Sequence, residues 1–384
     1  MSNLVRASRE LFSRAPDETF DSFDQLYQYC STLQEHSRDR WEPPETVTPT
    51  LLDNGQLGLS VGSAGQFHLN DWSFGQLCSL ARVDKLTLNR LRCATAMQAF
   101  HETLPKGRKP LQVLTTDYAM LSRPTPSVSD PRLADSLPAT SGSEFEAPSG
   151  SSNRVKGHAL VRSIHGASYT RLYNTELLDM VRNHAGDFVP PQQGFNGATG
   201  LYAGEQDMFC FLIDPTGWVE IGGESFAPGF FLWNSEVGRR TVGIETFWFQ
   251  SICANHIVWD AMEVTTFSRK HTANVHDALP EITSLLDQLV KSRDQRRDAF
   301  VRQMTVAQKS ILGEDREATM KALTGKGIPQ NSIREALNMV STSGSRFTVF
   351  ALVDALTRIS GRIRNAGDRA ELDSRIGRLL TLAV

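Results

Sequence analysis

The sequence predicts an α+β protein with a central antiparallel sheet, a helical N-terminal region and a helical C-terminal region. Three observations carry this. Short apolar segments separated by glycine turns cluster between residues 154 and 277, as half-buried strands do. Residues 278–384 instead repeat apolar side chains at the 3.6-residue period. Five prolines among Ser, Thr, Gly and Asp fill residues 124–153, where few side chains can pack. The expected organisation is an N-terminal mixed α/β region (1–123), a Pro/Ser-rich linker or disordered loop (124–153), a β-rich core domain (154–277) and a helical region (278–384).

In the first region, Phe20, Phe23, Leu26, Tyr27 and Leu33 predict an amphipathic helix near 19–36, and Pro43, Pro44 and Pro49 end regular structure. Leu57, Leu59 and Val61 alternate, Gly62 to Gly65 turn, and Phe67 and Leu69 alternate again, which reads as a hairpin. The two glycines make no phosphate loop, because no Gly-Lys-Ser/Thr follows. Ser73 with Gln76 three residues on reads as a capping box opening a helix. A second helix runs from Leu86 to Phe100. Residues 76–91 fit either a helix-turn-helix, with Thr87, Asn89 and Arg90 facing a groove, or a plain packed pair.

Further on, Asn174 is expected to cap a helix over 175–184. Strands follow at about 207–214, 228–236 and 241–251, then a helical stretch after Cys253 through Asp260 and Ala261, then a short segment at Val264 to Phe267. Leu279 to Val290 keep the helical period, and a basic run from Lys291 to Arg302 lies on its continuation.

The chain has 384 residues with 40 Lys and Arg against 43 Asp and Glu, a formal charge of −3. This length suggests two or three domains. The charge excludes a whole-chain polycation, so contact with nucleic acid needs a local basic face. The five cysteines are odd in number and form no CxxC pair, which argues against a disulfide framework and for reduced thiols in a cytoplasmic setting. No stretch approaches about 18 uninterrupted apolar residues, so no membrane span is expected. Met1 to Arg14 has no apolar core of the signal-peptide kind.

No catalytic signature is present. HExxH, GxSxG and the kinase loops are absent, and no cofactor fingerprint occurs. Cys253, His256, Asp260, His271 and His276 lie near one another in sequence. A Cys/His mechanism needs a third orienting group that the sequence does not supply. Cys-x2-His with a distant His-x4-His is an unusual zinc pattern, so packing roles compete with a site. No metal or other cofactor is expected.

Basic and aromatic residues interleave more suggestively. Arg162, Tyr169 and Arg171 fall in the first strands of the β-rich region. Arg239 and Arg240 sit at the tip of a hairpin rich in Phe and Trp, and Arg269 and Lys270 form a further cluster. Cations hold phosphate oxygens and rings stack on bases, so these seven residues are the candidate nucleic-acid contacts, single-stranded DNA favoured. A sheet with a solvated charged face over an aromatic core gives the same composition.

Three stretches carry a resemblance. Arg162 to Asn174 contains an arginine, a turn, a tyrosine and an asparagine opening a helix. Leu232-Trp-Asn234-Ser-Glu-Val-Gly238-Arg239 is followed by Cys253-Ala-Asn255. Phe267-Ser-Arg269-Lys-His271-Thr272 closes the set, with Lys270 interrupting the family's Arg-His-Thr. Together they resemble a domain-of-unknown-function family, the 932 family, found in phages, plasmids and their hosts. The resemblance gives Asn174, Asn234, Cys253, Asn255, His271 and Thr272 motif positions without an assigned role. It implies a mobile-element context and no activity. The strand order is also similar to the core of single-strand annealing proteins, which assemble into rings, so a homo-oligomer is one expectation. Two further readings stay open: a protein–protein module such as an inhibitor or assembly factor, and an enzyme built on His256, Asp260 and His271.

Overall fold

The computed structural model describes residues 11–12, 14–15, 17–104, 107, 109–116, 159–191, 200–221, 223–250, 256–259, 266–363 and 365–383. The chain opens with β1 (Glu18–Thr19) and α1 (Phe23–Glu35). Ser22 caps α1 by accepting the Gln25 amide at 3.2 Å, and Leu26, Cys30 and Leu33 form the buried stripe. β2 (Ser37–Glu42), β3 (Val47–Leu51), β4 (Leu57–Val61) and β5 (Gly65–Leu69) follow. Then come α2 (Asp71–Ala81), α3 (Lys85–Asn89) and α4 (Cys93–Thr103).

The cap of α2 is Asn70, not Ser73. Asn70 accepts the Ser73 amide at 2.8 Å, and the Asn70 amide donates to the Ser73 hydroxyl at 3.0 Å. Gln76 is therefore free for another task, described below. Arg82 ends α2 in the left-handed region at φ 56°, where the sequence lacks a glycine.

β6 (Leu111–Thr116) and β7 (Leu160–Gly166) pair antiparallel from Leu111 opposite Gly166 to Thr116 opposite Leu160. The expected boundary at 124–153 lies outside the described residues. The strands before and after it share one sheet, so it does not separate two independent units. The six-stranded sheet runs β2–β6–β7–β5–β4–β3, with β5 and β7 parallel and the other pairs antiparallel. The N-terminal region thus combines this sheet with α1 to α4. One face of this sheet packs Val47, Leu59, Val113 and Ile164 against Phe74, Leu77 and Phe100 of α2 and α4.

Next come α5 (Asn174–His184), β8 (Leu201–Ala203), β9 (Met208–Ile213), β10 (Val219–Ile221), β11 (Glu224–Asn234), β12 (Val242–Gln250), β13 (His256–Trp259) and β14 (Thr266–Arg269). With β1 they form an eight-stranded antiparallel sheet, β1–β8–β9–β11–β12–β13. β10 pairs with β11, and β14 takes the half of β12 that β13 leaves free. The helix expected after Cys253 is instead β13, paired with Phe247 to Gln250. Its Ile-Val-Trp run suits a pleat better than a helix.

Alternation gives this sheet two different faces. Met208, Cys210, Leu212, Phe230, Leu232 and Ile244 point to a core shared with α1, α5 and α6 (Ala278–Lys291). Phe209, Phe211, Phe231, Phe247 and Phe249 point the other way, towards Ala366 and Ala370. Those alanines belong to α11 (Ala366–Gly377), part of a helical array with α7 (Arg293–Lys309), α8 (Arg316–Leu323), α9 (Gln330–Thr342) and α10 (Val349–Ser360). The array docks on the sheet through Trp248, which stacks on Phe300 with ring centres 3.9 Å apart and planes 4° from parallel. Among the described residues, no helix is long and apolar enough to cross a membrane.

Trp248 is fully buried. Trp248→Ala should destabilise the protein by about 3–5 kcal/mol, as loss of a core aromatic does. Urea unfolding followed by circular dichroism reads this.

Candidate nucleic-acid interface

Of the three candidate residues nearest the start of the β-rich region, Arg162 and Arg171 are interior and Tyr169 is half-buried beside them. The reason begins in β7. Its pairing with β6 slips between Leu114 and Thr115, leaving Arg162 as the extra residue of a β-bulge. The bulge puts Val161 and Ile164 into the same core and turns Arg162 to the opposite side. There its guanidinium meets Glu236 at 2.7 Å and the Ser37 hydroxyl at 3.2 Å, with Arg162 and Glu236 both nearly solvent-free.

Glu236 lies in the β11–β12 turn and has further partners. Its other carboxylate oxygen accepts the Asn174 amide at 2.9 Å, at the positive end of α5. Asn174 is therefore the first helical residue, not the cap. Its side-chain oxygen accepts from Asn234 at 2.9 Å, and Asn234 also donates to the Leu172 carbonyl at 2.9 Å. The Glu236 carbonyl accepts the Tyr169 hydroxyl at 2.8 Å and the Arg171 guanidinium. Arg171 reaches on to Asp39 of β2 at 3.0 Å.

The next residue of the turn is clasped as well. The Val237 carbonyl accepts Trp72 Nε1 at 2.7 Å and His165 Nε2 at 2.9 Å. Gln76 accepts the Ile164 amide at 2.8 Å, satisfying β7 where its ladder ends. Gly238 completes the turn at φ 75°, and a Cβ there would stand 2.5 Å from His165 and 2.9 Å from Tyr169. His165, Tyr169 and His271 stack in series, with centres 3.7 and 5.5 Å apart. Burial, aided by Arg171, pushes the His165 imidazole down to about 3. Burial takes His271 to about 4, against a backbone contact at Thr170. Both rings are neutral at physiological pH, and the Val237 contact assigns the proton of His165 to Nε2.

Arg162 and Arg171 are therefore turned away from solvent phosphate in this arrangement, and with the half-buried Tyr169 they join the two sheets. His271 sits in the same stack. His256, Cys253, Asn255 and Asp260 have no described side chain, so the enzyme reading gains no described geometry. Thr272 lies in the turn leading to α6, with its amide on the Lys270 carbonyl at 2.8 Å. Arg269 is held by Glu281 and by Asp277 at 3.5 Å, while Lys270 is exposed. Among the described residues, no group of three or more His, Cys, Asp or Glu could hold a metal ion.

Arg239 and Arg240 have a different setting. They stand at the mouth of a cleft of about 650 Å³ between the aromatic face of the eight-stranded sheet and α11. Phe209, Phe231 and Trp233 form its floor, and Gly367, Ala370, Ser374 and Arg375 its helical wall, with Arg378 just beyond. Phe231 and Trp233 have ring centres 4.9 Å apart. Gly243 lets the indole lie across β12, since a Cβ there would stand 2.3 Å from the ring. Two of the four arginines are committed: Arg240 to Asp207 at 2.8 Å, and Arg375 to Glu371 and the Gly327 carbonyl. Arg239 and Arg378 are exposed, and neither forms an ion pair with a described residue.

Against known proteins, the chain matches no family model, no curated protein and no solved structure. The phage and plasmid resemblance rests on its three short stretches alone. Sequence reasoning missed Glu236, Trp72 and Gln76 in the clasp, and Glu245 and Arg378 in the cleft. Glu236 had a readable signal, an acid directly before a glycine turn inside a resembling stretch. Arg378 had none, because only the fold brings it beside Arg239.

Removing one partner of a buried ion pair strands the other charge, at a cost of about 3–5 kcal/mol. Glu236→Leu should lose about that much, and the double variant Arg162→Met/Glu236→Leu should recover part of it. A denaturant double-mutant cycle measures the coupling. For His165, the folded value lies below the ordinary 6.5. Its contribution to stability is thus complete above that pH and erodes as the pH falls towards about 3. Long-range proton–nitrogen NMR at about pH 5 should still show a neutral Nε2–H ring, although an ordinary histidine is mostly charged there.

Proposed function

We propose that this chain is a non-enzymatic, DNA-associated protein that holds single-stranded nucleic acid in the arginine-rimmed cleft. In this reading it belongs to the phage or plasmid type of mobile element that its motifs resemble. The supporting observation is the pairing of a half-buried indole, Trp233, with two exposed guanidiniums that form no ion pair with a described residue, Arg239 and Arg378. A ring platform beside cations is what single strands require, and every base has a face to stack.

The number of available cations sets the expected strength. Two to four phosphate contacts on a single strand give a salt slope of only about −1.4 to −3. A wall-length polycationic groove would give a much steeper one. The cleft suits a short segment rather than a duplex.

Fluorescence anisotropy with a labelled single-stranded oligonucleotide tests this between about 50 and 200 mM salt. Binding should weaken with that shallow slope. Arg239→Glu/Arg378→Glu should weaken it at least tenfold at the lower salt, as reversal of two phosphate contacts implies. Arg92→Glu, on the exposed start of α4 in the other sheet's layer, should leave it unchanged. No binding at low salt, or equal affinity for all three proteins, rules the proposal out.

A further inference from the structure

The cleft contains a group that phosphate binding alone does not explain. Glu245 lies on the aromatic face of β12, directly opposite Phe231 of β11 and Thr266 of β14. It lines the cleft beside Trp233 and the arginines, and its carboxylate, which feels the charge of Arg378, accepts no hydrogen bond from a described residue. The other carboxylate of the cleft, Glu371, is taken by Arg375. Glu245 is thus an acceptor that no described donor bonds, in a site lined chiefly by arginines and rings. A carboxylate there repels a phosphate chain unless some part of the ligand donates to it.

The bases differ in what they can donate in their own plane. Guanine presents two adjacent donors on its pairing edge, N1–H and the N2 amino group, which match the two oxygens of a carboxylate. Adenine and cytosine present one donor beside an acceptor. Thymine presents one donor between two acceptors. An acceptor facing a carboxylate is repelled, so only guanine satisfies both oxygens at once. Trp233 is fixed flat across β12 by Gly243 and offers the stacking plane beside this carboxyl. The cavity, at about 650 Å³, is in the range that holds a nucleotide-sized ligand.

Resting on the nucleic-acid reading above, we infer that the cleft reads guanine: the base stacks on Trp233, its N1–H and N2 amino group donate to Glu245, and Arg239 and Arg378 take the adjoining phosphate. Burial pushes the Glu245 carboxyl up to about 7, opposed by Arg378. The charged groups facing it are Arg378, Arg375 and Glu371 from the helical side and Arg239 and Arg240 from the β11–β12 turn. Guanine affinity accordingly rises as the carboxylate forms, through neutral pH.

The test is displacement of the labelled oligonucleotide by deoxynucleoside 5′-monophosphates. Deoxyguanosine monophosphate should compete at about tenfold lower concentration than the adenine nucleotide, the discrimination of one good bidentate contact. The inosine nucleotide, lacking the N2 amino group, should fall between. Glu245→Gln should erase the preference while retaining oligonucleotide binding, with circular dichroism confirming its fold. Equal competition by all nucleotides or by inorganic phosphate, or a preference that survives Glu245→Gln, overturns the inference. Nucleotides that fail to compete while oligonucleotide binding still depends on Arg239 and Arg378 also overturn it, and leave the nucleic-acid reading standing. Absence of any oligonucleotide binding removes both.

Discussion

A single buried carboxylate organises this molecule. Glu236 faces Arg162 across the gap between the two sheets, and its second oxygen caps the first turn of α5. Placing a carboxylate there is costly unless donors meet it, and the surroundings give each oxygen one, a guanidinium and a helix amide. The main chain of the same residue takes the Tyr169 hydroxyl and the Arg171 guanidinium. The neighbouring Val237 carbonyl takes Trp72 and His165. One turn thereby ties both sheets, α2 and α5 to a common point. The turn that does this is also the turn that presents Arg239 to the cleft, so rigidity in the clasp fixes the position of the cation at the mouth.

The arginines separate by partner rather than by location in sequence. Arg162 and Arg171 are surrounded by acceptors and have no exposure to offer. Arg240 and Arg269 are partly exposed but already neutralised by Asp207 and by Glu281. Arg239 and Arg378 are exposed and form no ion pair with a described residue. A local surplus of two such charges is compatible with a chain whose total charge is −3. Under the single-strand proposal it corresponds to modest, saturable binding and not the broad attachment of a polycation.

Much of the fold was legible because its signals are local. The Leu57 to Leu69 hairpin, the helix around Leu26 to Leu33 and the strands carrying Phe209, Phe231 and Phe247 follow alternation or the helical period. What escaped was set at a distance. The pairing of β6 with β7 spans the proline-rich stretch, and nothing local announces it. The bulge at Arg162 breaks alternation, so a buried arginine looked like an exposed one. The run after Cys253 mixes polar and apolar residues over too few positions to distinguish a strand from a helix. In the site, Arg239 and Arg240 were readable as a hairpin tip. Which of them is free depends on Asp207, and the second free cation comes from the last helical turns.

Hydrogen–deuterium exchange with and without single-stranded oligonucleotide tests the account most directly. The clasp should be slow to exchange in both states, because its amides and carbonyls are internal. Oligonucleotide should slow exchange over residues 239–245 and 367–378 and leave 160–174 unchanged. Protection that appears instead over 160–174 would show that Arg162, Tyr169 and Arg171 are the contact surface and that the clasp assignment is mistaken.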